Sequence, residues 1–415
     1  MSFNPLQEKG IPLHRQLRNW SELNVKPYDK YQTDPYTKCR VVVMNGIEVE
    51  AQFFSHQFAR NCPDIDIKRQ LAEVRRIEQQ QQKAVNWLVP GTEDVLENTI
   101  IYEQVAVDLT AWVAQMEPDP YARQCYEFGV LEDFDHLYRY ANLLDMLEGK
   151  KAEMLVGGYT EILPGRPTIF EHRAPSDEIR RPFARAQANP LSLLHALTIT
   201  AAEQQTMNYY MNAGNRFIEP IARATYLEIA QIEEQHVSHY ESLLDPTASW
   251  SENLLLHEYN ECYLYYSFLQ QEEHPRIRDL WELHLNMEIE HLRLAAELVK
   301  AIDGKDSEAL LPPVMPEAIR FQENKVWLRQ ILTSQVNLGS DLGEFVPVSD
   351  LPEDHAYFTY QARVNAGGYV PTEQVVIQHT DAVGHDYRFA TEGPLELQSD
   401  YPEAVRENAG LEEVA

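Results

Sequence analysis

The chain has 415 residues, 44% of them hydrophobic, so it is long enough for about two or three domains or one large elaborated domain. Its 35 basic and 65 acidic residues give a formal net charge of -30 at pH 7, and this excess of acid repels phosphate backbones and anionic membrane surfaces. We therefore expect neither a nucleic-acid partner nor a membrane partner.

The four cysteines, Cys39, Cys62, Cys125 and Cys262, lie far apart and form no Cys-x-x-Cys pair of the kind that binds zinc or exchanges disulfides. We expect reduced thiols in a cytoplasmic protein. The N-terminus has no apolar signal core, and no stretch contains the roughly 18 apolar residues that span a bilayer. These features predict a cytoplasmic protein without a membrane-spanning helix.

Residues 1–90 have the pattern of an N-terminal extension. The β-branched run at 38–50 (KCRVVVMNGIEVE) predicts a short hairpin around Asn45 and Gly46, because Asn-Gly suits a two-residue turn. Residues 64–87 repeat apolar side chains at helical spacing and predict one helix. We expect that helix to pack outside the functional core.

Residues 91–304 alternate long helical patterns with proline-marked turns. The patterns predict six helices in three hairpins, at residues 93–116, 119–148, 190–213, 218–244, 251–272 and 275–302. The segment 149–189 is long for a loop in a compact domain, and its length suits a crossover between the first and second hairpins. We therefore predict an all-α bundle of six core helices with N-terminal and C-terminal extensions.

Residues 305–415 give a weaker signal. One further helix is predicted at 316–332, while residues 334–415 are rich in loops and end in the acidic sequence LEEVA. We expect an extended arm that wraps its own subunit or a neighbour, in a homo-oligomer that is most simply a dimer.

Each of the three predicted hairpins carries a glutamate, an acid thirty residues later, and a histidine three residues after that. The three sets are Glu103, Asp133 and His136; Glu203, Glu233 and His236; and Glu258, Glu288 and His291. No gap is needed to superimpose one set on the next. Identical spacing in successive hairpins indicates duplication of one structural unit.

The spacing places the side chains of one set at the same height in the bundle. At about 1.5 Å of rise per residue, the chain runs up one helix and returns along the next to the same level, and positions i and i+3 share a helix face. Two hairpins would supply four carboxylates and two imidazoles, which suit Fe, Mn or Co. Because buried carboxylates repel one another, we expect a pair of divalent ions.

The segment IAQIEEQH at 229–236 resembles the I-A-x-x-E-x-x-H signature of the ferritin-like superfamily, which includes rubrerythrins, manganese catalases and di-iron oxygenases. The resemblance covers about 200 residues and implies a carboxylate-bridged dinuclear site on a helical bundle. It further implies that Glu233 and Glu288 bridge the ions within a ligand set of Glu203, Glu233, His236, Glu258, Glu288 and His291. The chain departs from the family in carrying three hairpins and in lacking rubredoxin cysteines.

The residues leave open which hairpins form the site. Two intact Glu-x-x-His motifs favour the second hairpin with the third, and we expect this pairing because the shorter Asp133 marks the first set as a relic. The crossover favours the first hairpin with the second, and all three sets could also converge. We expect His284, one turn before Glu288, to hold a ligand by hydrogen bonding rather than to bind an ion.

The donor set and the resemblance together predict a dinuclear metal oxidoreductase. We expect iron in preference to manganese, dioxygen or peroxide as oxidant, a small-molecule substrate, and an electron donor if the reaction requires one. A ferroxidase or metal-handling protein is the alternative, although the long termini argue against a short bundle that assembles into a shell. A non-catalytic scaffold with a vestigial site is a second alternative, and such a scaffold would purify without metal.

Overall fold

A computed structural model describes residues 3–162, 170–184 and 187–384. Within these ranges the chain is mostly helical and its one sheet is a two-stranded antiparallel pair, which confirms the predicted all-α class. The helices are α1 (Trp20–Leu23), α2 (Pro35–Asn61), α3 (Ile65–Asn86), α4 (Val95–Met116), α5 (Pro120–Glu148), α6 (Ala152–Leu155), α7 (Pro190–Ala213), α8 (Pro220–Glu241), α9 (Trp250–Leu269), α10 (Pro275–Asp303), α11 (Lys325–Gln335), α12 (Ala356–Val364) and α13 (Pro371–Val383). The strands are β1 (Leu338–Asp341) and β2 (Glu344–Pro347).

The six helices predicted between residues 91 and 304 are confirmed as α4, α5, α7, α8, α9 and α10. Local chemistry explains where they begin and end. Asp94 and Ser249 form capping boxes at the starts of α4 and α9, and proline occupies the first turn of the other four. Gly149 and Gly304 follow α5 and α10 with left-handed φ angles of 65° and 67°.

The predicted β-hairpin at residues 38–50 is wrong, because these residues lie inside α2. This helix packs against α3, α4, α7 and α9, so residues 36–44 are all buried, and a short apolar run does not distinguish a buried helix from a strand. Gly46 serves helix packing rather than a turn. A Cβ atom at this position would lie 2.8 Å from Nε2 of Gln205 on α7.

Helices α2 and α3 form a fourth antiparallel hairpin. The eight long helices of the described chain make two groups of four. Bundle A consists of α4, α5, α7 and α8, and bundle B consists of α2, α3, α9 and α10. Contacts of α2 with α4 and α7, and of α7 with α9, join the two bundles. The first and last of the four hairpins therefore build bundle B, and the two between them build bundle A.

The C-terminal part packs against this frame. The helix predicted at 316–332 begins only at Lys325, because the backbone amides of Ile319 and Phe321 donate to side chains of α9 and the α9–α10 turn. Helix α13 packs on α5 and α8 of the same chain, so part of the expected arm contacts its own bundle. Residues 385–415 of that arm lie outside the described residues.

All four cysteines are buried and free of disulfide bonds, as expected from their spacing. None of the described helices combines the length and apolarity needed to cross a lipid bilayer.

A buried ion pair fixes α2 to the turn between α9 and α10. Arg40 Nε lies 2.9 Å from Glu272 Oε2, and the two side chains are 5% and 0% exposed. The Thr37 hydroxyl donates to the other carboxylate oxygen of Glu272 and accepts from Arg40. Although burial opposes the charge, Arg40 and these hydrogen bonds lower the pKa of Glu272.

Replacing Arg40 with methionine would leave the Glu272 carboxylate buried without its cation. We expect the free energy of unfolding to fall by roughly 3–5 kcal/mol, measured by chemical denaturation. Arg69→Met is the matched control, because Arg69 and Asp66 form an ion pair with side chains 70% and 82% exposed, and this variant should be nearly as stable as the unaltered chain. Equal stability of both variants would contradict the importance of the buried pair.

Candidate metal centre

Bundle A brings the first two sets of predicted ligands together in its interior. Helices α4 and α7 each supply one glutamate, while α5 and α8 each supply an acid and a histidine. We call these six residues cluster A: Glu103, Asp133, His136, Glu203, Glu233 and His236. Each is at most 1% exposed.

The donor atoms of cluster A form two compact groups in which the atoms lie within 4.8 Å of one another. One group is Asp133, Glu203, Glu233 and His236, and the other is Glu103, His136 and Glu233. Only Glu233 belongs to both. Each group contains one imidazole, that of His236 in the first and that of His136 in the second. The centroids of these two rings are 5.6 Å apart.

In both groups a histidine ring nitrogen lies close to carboxylate oxygens. His136 Nδ1 lies 3.0 Å from Glu233 Oε1. His236 Nδ1 lies 3.1 Å from Asp133 Oδ1, 3.3 Å from Glu233 Oε2 and 3.6 Å from Glu203 Oε2. Helical spacing explains this convergence, since an acid and a histidine three residues apart occupy the same face of α5 or α8.

A hydrogen bond outside the cluster orients the His236 ring. Its Nε2 lies 2.9 Å from Glu132 Oε2, and the other oxygen of Glu132 accepts from Arg173 at 2.6 Å. Although burial opposes its charge, Arg173 and His236 lower the pKa of Glu132 to about 2, so this carboxylate only accepts. Nε2 therefore carries a hydrogen, and in the neutral ring Nδ1 presents its lone pair to cluster A, as in a metal-binding histidine supported by a carboxylate.

Several polar atoms of cluster A have no hydrogen-bond partner within the described part of the chain. They are Glu103 Oε2, both carboxylate oxygens of Asp133, His136 Nε2, Glu203 Oε2, Glu233 Oε2 and His236 Nδ1. The short contacts of His236 Nδ1 with the acids thus lack hydrogen-bond geometry. Because an unpaired buried polar group costs about 1–3 kcal/mol, these atoms fit a centre that binds divalent cations.

Proton affinities in the metal-free cluster are strongly altered. Burial, together with repulsion from neighbouring carboxylates, raises the pKa of Glu103 and of Glu203 well above the usual range. Burial opposes the charge of Glu233 as well, but the hydrogen bond from His136 and the close approach of the His236 ring lower its pKa to about 2. Burial lowers the pKa of His236, yet the surrounding acids outweigh this effect and raise it well above the usual value. Bound cations would displace the protons held in this way.

Buried tyrosines surround cluster A. The Tyr210 hydroxyl donates to Glu103 Oε1 at 2.5 Å. The hydroxyls of Tyr140 and Tyr240 have no partner among the described residues, and Gly129 leaves room for Tyr240, since a Cβ there would lie 1.8 Å from its hydroxyl. These phenols exclude bulk water from the acids while keeping polar groups beside them.

An open groove of about 1000 Å³ lies at the turn between α7 and α8. Its lining includes the buried Tyr210 and Tyr226 and the exposed apolar residues Met211, Ile218 and Leu227. Tyr210 contacts both the groove and Glu103. Tyr210 thus connects the groove to cluster A.

The third predicted set, Glu258, Glu288 and His291, lies apart from cluster A in bundle B. The expected pairing of the second hairpin with the third is therefore wrong, and the structure instead groups the second set with the first. Asp133, which we expected to be a relic, belongs to the four-residue group. Helices α4 and α5 lie beside α7 and α8, whereas α7 and α9 meet between the bundles with their glutamates in different interiors.

Bundle B contains ligand-type residues that the sequence analysis missed. Glu48 on α2 and Glu78 on α3 are thirty residues apart, and Gln81 follows three residues later. This spacing matches the other hairpins, with glutamine in place of histidine. Glu48 lies in the β-branched run that favours a strand, and Gln81 departs from the Glu-x-x-His pattern of the other hairpins. Helix α3, which the sequence predicts to pack outside the functional core, lies outside bundle A but buries Glu78 and Gln81, each 2% exposed, in bundle B.

His284 is linked to the buried acid Glu48 of bundle B through the hydroxyl of Tyr265. Its Nδ1 lies 2.9 Å from the Tyr265 hydroxyl, which donates to Glu48. Burial lowers the pKa of His284 to about 3, so the ring is neutral. This arrangement agrees with the expected supporting role, although it acts on Glu48 rather than on Glu288.

Comparisons of the chain with protein-family models, with curated proteins and with solved structures find no match. The chemistry of the two bundles must therefore be inferred from their own residues.

Glu132→Gln tests whether the charge behind His236 supports metal binding. The amide keeps an acceptor near Nε2 but removes the negative charge, so we expect the affinity of cluster A for Mn²⁺ to fall about 10- to 100-fold, measured by competition with a chelating indicator. Glu234→Gln is the matched control, because Glu234 is exposed on the same bundle. Unchanged affinity in Glu132→Gln would contradict the supporting role.

Proposed function

We propose that this chain is a dinuclear metal oxidoreductase of the ferritin-like type, with its site at cluster A. The observation that carries the proposal is the convergence of four acids and two imidazoles from four helices, all buried and with unpartnered donor atoms. Among the described residues, no lysine or arginine forms an ion pair with any of these acids. Divalent cations are the simplest groups that would neutralise them.

Two ions can be assigned to the two groups of donor atoms. Glu233 belongs to both groups and would therefore help to hold both ions. The first ion would be held with His236, Asp133 and Glu203, and the second with His136 and Glu103. Four carboxylates with two imidazoles suit iron, which we favour, and also manganese.

A bound pair of iron ions would supply the electrons and the coordination sites that activate dioxygen or peroxide. The protein residues supply the surroundings. Glu132 keeps the His236 ring oriented, Tyr210 holds one oxygen of Glu103, and the remaining carboxylates can take up or release protons as the charge of the centre changes. The buried phenols of Tyr140 and Tyr240 limit the access of bulk water.

The groove beside Tyr210 supports an oxidoreductase rather than a metal store. Its volume of about 1000 Å³ lies at the upper end of the roughly 300–1,000 Å³ typical of small-molecule sites. The exposed Ile218 and Leu227 on its wall favour a largely apolar substrate. Such a molecule would contact Tyr210, whose hydroxyl bonds Glu103.

Glu233→Ala tests the proposal because it removes the one carboxylate common to both groups. We expect this variant to lose two ions per chain relative to the unaltered protein, measured by elemental analysis after gel filtration of iron-loaded samples. The optical change that follows exposure of the reduced, iron-loaded protein to oxygen should disappear with those ions. Glu234→Ala, at an exposed neighbouring position, should retain both properties.

Three results would contradict the proposal. Retention of both ions in Glu233→Ala would remove the assigned role of that residue. Absence of metal from the unaltered protein after reconstitution would indicate a vestigial scaffold. Accumulation of many ferric ions per chain during oxygen exposure would indicate a ferroxidase that stores its product.

A further inference from the structure

Bundle B contains a second buried set of ligand-type residues, which we call cluster B: Glu48, Glu78, Gln81, Glu258, Glu261, Glu288 and His291. Each is at most 3% exposed. Donor atoms of Glu78, Glu258 and His291 lie within 4.8 Å of one another, and the same is true of Glu258, Glu261 and Glu288.

One half of cluster A has a full counterpart in cluster B. By position in the repeat, Glu258 corresponds to Glu103, and His291 corresponds to His136. Glu78 corresponds to Glu233, the shared carboxylate of cluster A. The group of Glu78, Glu258 and His291 therefore repeats the three-residue group of cluster A with the same residue types.

The other half of cluster B differs at one decisive position. Gln81 occupies the place of His236, and its side-chain amide donates to Glu288 Oε1. An imidazole at this point would direct a basic nitrogen lone pair into the cluster, whereas the amide offers the hydrogens of its nitrogen and an unpartnered oxygen. The four-residue group of cluster A accordingly has no counterpart around Gln81 in the described chain.

Hydrogen bonds outside the cluster orient His291. The side-chain amide of Gln16 donates to the backbone oxygens of Ile11 and Met287, which leaves its Oε1 as an acceptor 2.7 Å from His291 Nε2. Nε2 therefore carries a hydrogen, and in the neutral ring the Nδ1 lone pair faces the acids. Nδ1 lies 3.0 Å from Glu288 Oε2 and 3.9 Å from Glu258 Oε2.

Unpartnered donor atoms provide an independent indication of a ligand. Glu48 Oε2, Glu78 Oε2, Glu258 Oε2 and both oxygens of Glu261 are buried without a hydrogen-bond partner among the described residues. In the same part of the chain, the only ion pairs of the five acids of cluster B are those with His291. Five carboxylates face one imidazole, so the interior lacks positive charge.

We infer that cluster B is a second metal site, which binds one divalent ion of the Mn²⁺ type through Glu78, Glu258 and His291. Glu261, on α9 where the equivalent position of α4 is Ala106, adds a carboxylate, while Gln81 removes an imidazole. With five acids and one imidazole, cluster B as a whole is thus richer in oxygen than cluster A, and carboxylate-rich surroundings suit Mn²⁺. This inference does not depend on the reaction proposed for cluster A.

The test is the Mn²⁺ content of the full chain, loaded from the metal-free form, freed of excess metal by gel filtration, and examined by elemental analysis and electron paramagnetic resonance. We expect three ions per chain, two of them magnetically coupled and one isolated. Glu258→Gln should lose the isolated ion and its hyperfine-split signal, while the coupled pair remains. Glu297→Gln, on the same hairpin with a side chain 63% exposed, should match the unaltered protein.

Gln81→His is a second variant, and it adds a donor instead of removing one. The new imidazole would restore the missing half of the site, so we expect a gain of one ion per chain and conversion of the isolated signal into that of a second coupled pair. A failure to gain an ion would overturn the assignment of the missing position to Gln81.

The two proposals fail in different ways. If Glu258→Gln keeps the isolated ion, or if the unaltered chain binds only the coupled pair, the site in bundle B is refuted while the proposal for cluster A stands. If Glu233→Ala keeps the coupled pair while Glu258→Gln loses the isolated ion, the site in bundle B stands and the proposal for cluster A is refuted.

Discussion

Carboxylates buried at the centre of each bundle repel one another, and both bundles must offset this repulsion to stay folded. Four acids in cluster A and five in cluster B are shielded from water, and no lysine or arginine in the described ranges forms an ion pair with them. Burying unpaired charge is strongly unfavourable. Protons can offset it in the metal-free chain, and divalent cations would offset it while also engaging the unpartnered donor atoms.

The two bundles share one arrangement of buried acids and differ in the number of histidines beside them. Each combines two hairpins whose glutamates lie thirty residues from the next acid, and each orients a histidine from outside, through Glu132 and Arg173 in bundle A and through Gln16 in bundle B. Cluster A has two imidazoles, whereas cluster B has one. Duplication of one hairpin that carries buried acids, followed by divergence at Gln81, accounts for both the likeness and the difference.

The sequence predicted the parts of the fold that repeat at long helical spacing. All six helices between residues 91 and 304 are present, since their caps and prolines mark their ends. The mistakes lie where local patterns were ambiguous: the β-branched run in α2 suggested strands, and Asp133 suggested a relic. Spacing along the chain places residues at one height but does not determine which hairpins become neighbours, because packing between α2, α7 and α9 decides that.

We propose that the buried acids in this chain bind divalent transition-metal ions. Calorimetric unfolding of the metal-free protein during titration with Mn²⁺ tests it most directly, with Mg²⁺ titrated in parallel to measure general attraction to an acidic chain. A ligand that binds only the folded state raises the unfolding temperature as its concentration exceeds the dissociation constant. We expect a large rise with Mn²⁺ and a much smaller one with Mg²⁺; no rise, or an equal rise with both ions, would contradict the claim.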